Sequence, residues 1–292
     1  MRQKIAFLLI SALFFASCTQ KPVTLEGLLE EMVNRDGLAL FPDPPFTLAQ
    51  FSSYDRATVA AGDPSWFANW DRTMFIRTDT IDGRVEYVMF DADGPGAIVR
   101  FWMTFAGENS GLGTMRIYFD NQPQPTIEGT AFDILSGGQL TGEPLSSSVS
   151  DSTKYEHRGH NLYLPLPYGR HCKVTYQSEN IKDAGAKTGG EAVYYNINYR
   201  TYGKGTKVET FSEDLLKNAA GTLEKVQTLL AQRYRGLDQL TTETTRLDGV
   251  IEPGASLVTQ LTGTKAVRAV KMTFSPDINP QALRTTDRKS VV

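Results

Sequence analysis

The chain has 292 residues, 40% of them hydrophobic and 22% charged, with a formal net charge of −3 at pH 7. That composition excludes a disordered chain and leaves room for two domains of ordinary size. The mild acidity, without clusters of Lys and Arg, lacks the basic footprint of a nucleic-acid binder, so no nucleic-acid partner is expected.

The first residues read MRQKIAFLLISALFFASCTQK. Arg2 and Lys4 make a short basic start, and residues 5–16 form an apolar run too short to cross a bilayer as a helix. Small residues then lead into Cys18, as in a bacterial lipobox. Residues 1–18 are therefore expected to be a lipoprotein signal, with Cys18 lipidated and more than one acyl chain holding the protein to a membrane. This places it in the cell envelope, periplasm-facing or on the outer-membrane surface. The alternative is ordinary cleavage near Ser17, which leaves Cys18 a bystander. The other cysteine, Cys172, then has no partner for a disulfide and reads as a small buried strand residue.

Residues 19–48 read as a short helix and a linker. Leu25, Leu28, Leu29 and Met32 share one side of an amphipathic helix over 24–34, and FPDPPF at 41–46 is extended because proline removes donors and restricts its neighbours. The stretch FSSYDRATVAAGDPSWFANWD at 51–71 fits no regular period: its aromatics cannot all face one side of a helix or strand, and Gly62, Asp63 and Pro64 suit a turn.

From 73 to 202 the signals are strands separated by turns. RVEYVMF (84–90) alternates Val85, Tyr87 and Met89 against Arg84, Glu86 and Val88. AIVRFWMTF, TMRIYFD, NLYLPLPY, CKVTYQ and AVYYNINYRTY follow, with no helical crossover between them. Antiparallel pairing in a sandwich or jelly roll is expected, since a parallel sheet needs such crossovers. Residues 49–211 are assigned to this first domain. A connecting amphipathic helix and linker occupy 212–247, with Ser212 as N-cap, a stripe of Leu215, Ala219, Leu223, Val226 and Leu230, and Arg233, Arg235 and Gly236 at its end. GPGAIVRFWMTF (94–105) aligns with GTKAVRAVKMTF (263–274), which suggests a second, related β domain. The expected architecture is all-β: a tandem jelly-roll sandwich, the first domain complete and the second, 248–286, cut off after its opening strands. Residues 287–292, DRKSVV, match a translation of a short-read sequencing adapter and are expected to be read-through, with the natural chain continuing.

Several chemistries can be weighed on residue type. Glycoside hydrolysis needs two carboxyls roughly 5–5.5 Å apart for retention or about 6.5–9.5 Å for inversion. Asp91 and Asp93 in FDADGPG read as turn formers ahead of glycine. Asp55 and Asp71 converge if the 51–71 loop closes on itself, although Asp55 has the simpler option of pairing with Arg56 or a backbone amide. Glu128, Asp133 and Glu191 read as surface residues. His157 and His160 in HRGH lack a third ligand at recognisable spacing, so no metal and no cofactor are expected. Ser52, Ser53 and His171 do not form a nucleophile motif. A saccharide offers hydroxyl edges and an apolar C–H face, which Asp55, Arg56, Asn69 and Asp71, beside Trp66 or Trp70, would meet. An aromatic loop packed over an edge strand or in a subunit interface satisfies the same composition.

FSSYDR, WFANWD, FDADGPGAIVRFWMT, NLYLPLPYGRHCKVTY and YYNINYRTY, in that order, resemble domain-of-unknown-function family 2961, some of whose members form glycoside hydrolase family 172. The resemblance spans about 49–211 and, more loosely, 263–286. It implies two tandem jelly rolls, homo-oligomers (trimers or hexamers), and retaining hydrolysis of furanosides such as α-fructofuranose or D-arabinofuranose units in an oligo- or polysaccharide. It also implies that both catalytic glutamates lie in the second jelly roll, in Glu-Gly-Asp-Glu and Gly-Thr-Glu-Asp type motifs. Neither motif occurs in this sequence, so no nucleophile or acid is assigned to a residue. The resemblance favours Asp55, Arg56, Trp66, Asn69 and Asp71 as substrate contacts. The alternative function is a non-catalytic carbohydrate-binding or structural jelly-roll lipoprotein.

Overall fold

A computed structural model of the protein describes residues 21–64, 66–182, 190–232, 243–252, 254–263, 267, 270–273 and 281. The lipidation candidate Cys18, the helix end at Arg233, Arg235 and Gly236, and residues 287–292 lie outside them. The chain divides into two units, Met1–Gln239 and Leu240–Val292. In the second unit the described residues from 243 to 273 carry turns but no strand or helix, and Val267 and Val270 are exposed. Phe274 is outside the described set.

The first unit is a sandwich of two antiparallel sheets. Its strands in chain order are β1 (Phe46–Ser52), β2 (Arg77–Ile81), β3 (Arg84–Asp93), β4 (Gly96–Ala106), β5 (Thr114–Phe119), β6 (Ile127–Thr130), β7 (Ser146–Val149), β8 (Gly159–Leu162), β9 (Leu166–Tyr168), β10 (His171–Gln177) and β11 (Ala192–Tyr202). One sheet runs β1-β11-β4-β8-β7, with β9 also pairing to β4; the other runs β2-β3-β10-β5-β6. If β2, β7 and β9 are set aside and the remaining eight numbered in chain order, the sheets read 1-8-3-6 and 2-7-4-5. That is the jelly-roll order, two Greek keys rolled into facing sheets.

The core lies between the sheets. Phe101, Met103 and Phe105 of β4, Tyr195 and Ile197 of β11, Met115 and Ile117 of β5, and Val174 and Tyr176 of β10 are all buried there. Cys172 joins them as a small apolar residue, and burial raises its thiol pKa well above the usual value, so the group stays protonated. Gly96 opens β4 where only glycine fits: a Cβ would lie 2.3 Å from the Tyr168 hydroxyl and 2.7 Å from the Arg200 carbonyl.

Strict alternation along β3 does not survive. The register of β10 against β3 shifts between Val174 and Thr175, which face Phe90 and Val88. Met89 is thus the extra residue of a β-bulge. Met89 and Phe90 are both buried in the core, while Val85 is left exposed at the start of the strand. On the outer face Glu86 and Val88 are buried as well, Glu86 beneath the side chains of Arg84 and Tyr118.

Helix α1 (Leu25–Glu31) begins where Thr24 accepts a hydrogen bond from the Gly27 amide, and it buries Leu25, Leu28 and Leu29. A five-residue helix, α2 (Ala131–Leu135), follows β6. The helix expected after Ser212 is present with Ser212 as its cap, but it is interrupted at Ala219 into α3 (Glu213–Asn218) and α4 (Ala220–Ala231). Ala219 and Val226 of the expected stripe are buried, and α4 packs beside α1, where Thr222 donates to Glu26 at 3.0 Å.

Candidate functional site

The 51–71 stretch forms a closed loop hung from one strand. β1 pairs with β11 up to Ser52 opposite Asn196. The Ser53 amide then donates to the Tyr195 carbonyl, and the Ser53 hydroxyl accepts from the Tyr195 amide, both at 3.1 Å. The chain leaves and returns at Thr73, whose amide donates to the Val193 carbonyl at 3.0 Å. Entry and exit therefore sit two residues apart on β11, the close-ended geometry of an Ω-type loop. Thr73 is held at φ 50°, a left-handed conformation tolerated here because its backbone is locked into the sheet.

Two carboxylates tie the loop together. Asp55, only 5% exposed, accepts from the Ala57 amide at 3.0 Å and from the Trp70 amide at 3.1 Å. Asp71 accepts from the Asp55 amide at 2.8 Å. The tip is closed by the Val59 amide on the Trp66 carbonyl and the Trp66 amide on the Asp63 carbonyl, at 3.2 and 2.9 Å. Asp55 and Asp71 do converge, and they do so as acceptors for backbone amides within the loop, so their role in this geometry is to hold its shape.

What the closed loop turns outward is aromatic. Trp66 is 45% exposed, Phe67 65% and Trp70 39%, with the Trp66 and Phe67 rings 5.4 Å apart. Tyr54 is also exposed, and the Arg56 guanidinium lies 4.7 Å from its ring centroid while donating to the Tyr54 and Ser52 carbonyls. Asn69 is exposed beside Trp70. The result is a loop that presents a Trp66–Phe67 ring pair, together with Trp70, Asn69 and an Arg56–Tyr54 cation–ring pair. Chemically it can stack against an apolar face and donate hydrogen bonds.

The remaining candidate residues are placed elsewhere. Asp91 is not a turn former: it sits in β3 and pairs with His171 Nε2 at 2.6 Å and with Arg77. Glu191 is buried and accepts from the Gly111 amide at 2.8 Å and the Tyr176 hydroxyl at 3.4 Å, which corrects its assignment to the surface. Sequence spacing could not find this, because Gly111 and Tyr176 meet Glu191 only after the sheets are assembled. Glu128 pairs with Arg116, and Asp133 bonds the Thr130 hydroxyl at the start of α2.

His157 and His160 point to different surroundings. His160 is buried, 2.7 Å from the Ser136 hydroxyl through Nδ1, and ringed by Phe132 and Tyr155. No three His, Cys, Asp or Glu side chains gather into a metal site among the described residues. Burial pulls the His160 pKa down to about 4. Between its ordinary value near 6.5 and that point, the unfolded chain binds a proton that the folded chain refuses. The stabilisation is complete above pH ~6.5 and is lost as the pH falls toward 4. At about 1.4 kcal/mol per pH unit the loss is of order 3 kcal/mol. Urea midpoints taken at about pH 7 and about pH 4.5 should differ accordingly, and a His160→Leu protein should show a shallower dependence. An unchanged pH dependence in that variant would exclude His160 as the group responsible.

The family model described as the GH172 first beta-sandwich domain matches residues 44–219, more than half of the chain. No curated protein matches it. Solved structures to which the chain is similar include the VP2 subviral particle of infectious bursal disease virus, at 13% identity and TM-score 0.27, covering 65% of this chain and 49% of that one. The catalytic domain of a GH87 alpha-1,3-glucanase in complex with tetrasaccharides is similar at 12% identity and TM-score 0.20, covering 53% of this chain and 28% of that one. The chain thus spans about half the length of the first of these and little more than a quarter of the second. At such scores neither likeness bears on the site.

Proposed function

The chain belongs to glycoside hydrolase family 172 through that family's first β-sandwich domain, and from this premise we propose that it is the amino-terminal part of a lipid-anchored furanosidase. The observation that carries the reading is the family match across the whole sandwich, including the loop at 54–72. In this proposal the full-length protein cleaves α-fructofuranose or D-arabinofuranose units by retention. Two carboxylates outside the described domain act as nucleophile and acid/base. The sandwich contributes Trp66 as a stacking surface, with Arg56 and Asn69 as hydrogen-bonding partners, and Asp55 and Asp71 keep these in place.

Assembly belongs to the same proposal. β1 is an edge strand with Leu48 exposed, and the segment leading to it exposes Leu38, Leu40 and Phe41. An edge with that much apolar surface is a template for pairing between copies, in keeping with a trimer or hexamer. Lipidation of Cys18 would hold the assembly in the cell envelope.

One observation favours the second reading, a binding module without catalysis. Four of the candidate carboxylates in the sandwich are already engaged: Asp55 and Asp71 by amides, Asp91 by Arg77 and His171, Glu191 by an amide and a phenol. The deciding experiment uses membranes from cells expressing the full-length gene. Hydrolysis of aryl α-furanosides is expected in the membrane fraction, moving to the soluble fraction in a Cys18→Ser variant. Trp66→Ala is expected to raise KM about tenfold, the loss of roughly one stacking contact, with the melting temperature unchanged. Saccharide binding without any hydrolysis would replace the enzyme by the binding module, and an unchanged KM would remove the loop from the site.

A further inference from the structure

A recess with an apolar lining and polar side chains at its margin lies far from the aromatic loop in the chain's topology, on the outer face of the β2-β3-β10-β5-β6 sheet, and no loop residue lines it. Its volume is about 350 Å³, within the range of roughly 300–1,000 Å³ typical of small-ligand sites. The floor is Tyr118 of β5 with His171 and Lys173 of β10.

Two tight turns make the walls, and both are set before any ligand arrives. The β2–β3 reversal places Asp82 and Gly83 at φ 50° and 78°, the left-handed pair of a primed hairpin turn, and it contributes Ile81 and Asp82 to the recess. Opposite it, Asp120 and Asn121 take φ 52° and 62°, closed by the Gln122 amide on the Phe119 carbonyl at 3.0 Å. Asp120 anchors this second wall to the floor. Its carboxylate accepts from the Arg170 amide at 2.7 Å, the His171 amide at 3.2 Å and the Thr210 hydroxyl. A wall tied down in this way loses little freedom on binding.

The charge balance selects the ligand. Lys173 Nζ lies 3.3 Å from Asp79, and His171 Nε2 lies 2.6 Å from Asp91. Arg77 pairs with both of those aspartates, and Arg84 has Asp82 at 3.8 Å. Lys173, the lysine that lines the floor, thus has a carboxylate, as do Arg77 and Arg84 beside it, so an anion in the recess would find no unpaired lining cation. The rim, by contrast, carries Asn121, Gln122 and Gln124, exposed and without a side-chain hydrogen-bond partner among the described residues. Each amide offers a donor and an acceptor together, which is what adjacent hydroxyls of a neutral sugar present in return.

We propose that this recess is a second, non-catalytic binding site that takes one unit of a neutral saccharide. The choice of saccharide rests on the carbohydrate reading above, whereas the recess and its neutrality do not. Titration calorimetry on the 292-residue chain tests it, with 1-kestose, an arabinofuranosyl trisaccharide and maltotriose as neutral probes and glucuronate and inorganic phosphate as anionic ones. A Gln122→Ala, Gln124→Ala double variant, altered only at exposed positions, should melt like the parent and bind a neutral probe about tenfold more weakly. Trp66→Ala should leave that binding component intact. Neutral binding lost with Trp66 and indifferent to the two glutamines would overturn the recess while leaving the loop and the family reading standing. Binding of phosphate or glucuronate that depends on the glutamines would overturn the neutral-saccharide assignment. So would a protein that hydrolyses furanosides yet binds no probe in the recess.

Discussion

Replacing Glu86 by Ala should lower the stability of the sandwich by about 3–5 kcal/mol, the range for removing one partner from a buried charge cluster. Glu86 has 0% exposure although it stands on the outer side of β3. Thr175 donates to it at 2.7 Å, and Tyr118 donates at 3.0 and 3.1 Å to its two oxygens. Arg84 approaches at 3.3 Å and Arg116 at 3.6 Å. Burial, and then the Glu86 carboxylate itself, raise the Tyr118 pKa to about 12, so the phenol remains a donor at any physiological pH. Deleting the carboxylate strands two buried hydroxyls and leaves the buried Arg116 guanidinium with Glu128 and Gln177 alone. For a domain of this size the change corresponds to a fall in Tm of roughly 10 °C. Glu86→Gln keeps an acceptor but loses the charge, and it should fall between the two. Urea denaturation checks both variants. A Glu86→Ala protein within about 1 kcal/mol of the parent would mean that this layer is ornamental to stability.

Asp55→Ala should act more locally and more severely on binding. The substitution leaves the Ala57 and Trp70 amides without their acceptor. Hydrogen bonds to a charged group contribute about 1.5–3 kcal/mol each, and the two are not additive, so a loss of roughly 2–4 kcal/mol is expected. Because the loop is attached to β11 at Ser53 and Thr73 through the sheet ladder, the sandwich itself should remain folded. The loop should open, which would appear as faster proteolysis between 55 and 70 and a shift in tryptophan emission. Saccharide affinity should drop at least as far as in Trp66→Ala, since the entire platform loses its frame. Asp55→Asn retains one acceptor oxygen and should be milder. Protease resistance unchanged in Asp55→Ala would show that the loop is held by something other than these bonds.

The two variants also mark where sequence reasoning reaches its limit. Asp55 could be singled out beforehand, because an acidic residue in an irregular, aromatic stretch has few uses. Whether it would face a ligand or a backbone amide depended on Trp70 folding back over it, a contact fifteen residues away along the chain that no local period encodes. Glu86 looked like one polar member of an alternating strand. Its burial follows from Arg116 and Tyr118 of β5 and Thr175 of β10, which reach it only once three strands lie side by side. The bulge at Met89 was hidden for the same reason: it is a mismatch between two strands and leaves no mark on either one alone.

The alternation of apolar residues, the turn residues between them and the lack of helical crossovers determined an antiparallel β-sandwich, because side-chain period and backbone donors are local properties. The cap at Ser212 and the buried positions Leu25, Leu29, Ala219 and Val226 were likewise readable from spacing. Only the tertiary structure decided the 1-8-3-6 and 2-7-4-5 strand order, the closure of the loop on Val193 and Tyr195 of β11, and the recess between two turns nearly forty residues apart. Each of these brings together groups distant along the chain. A sequence states which groups are available, but which of them meet is decided by the packing of one sheet against the other.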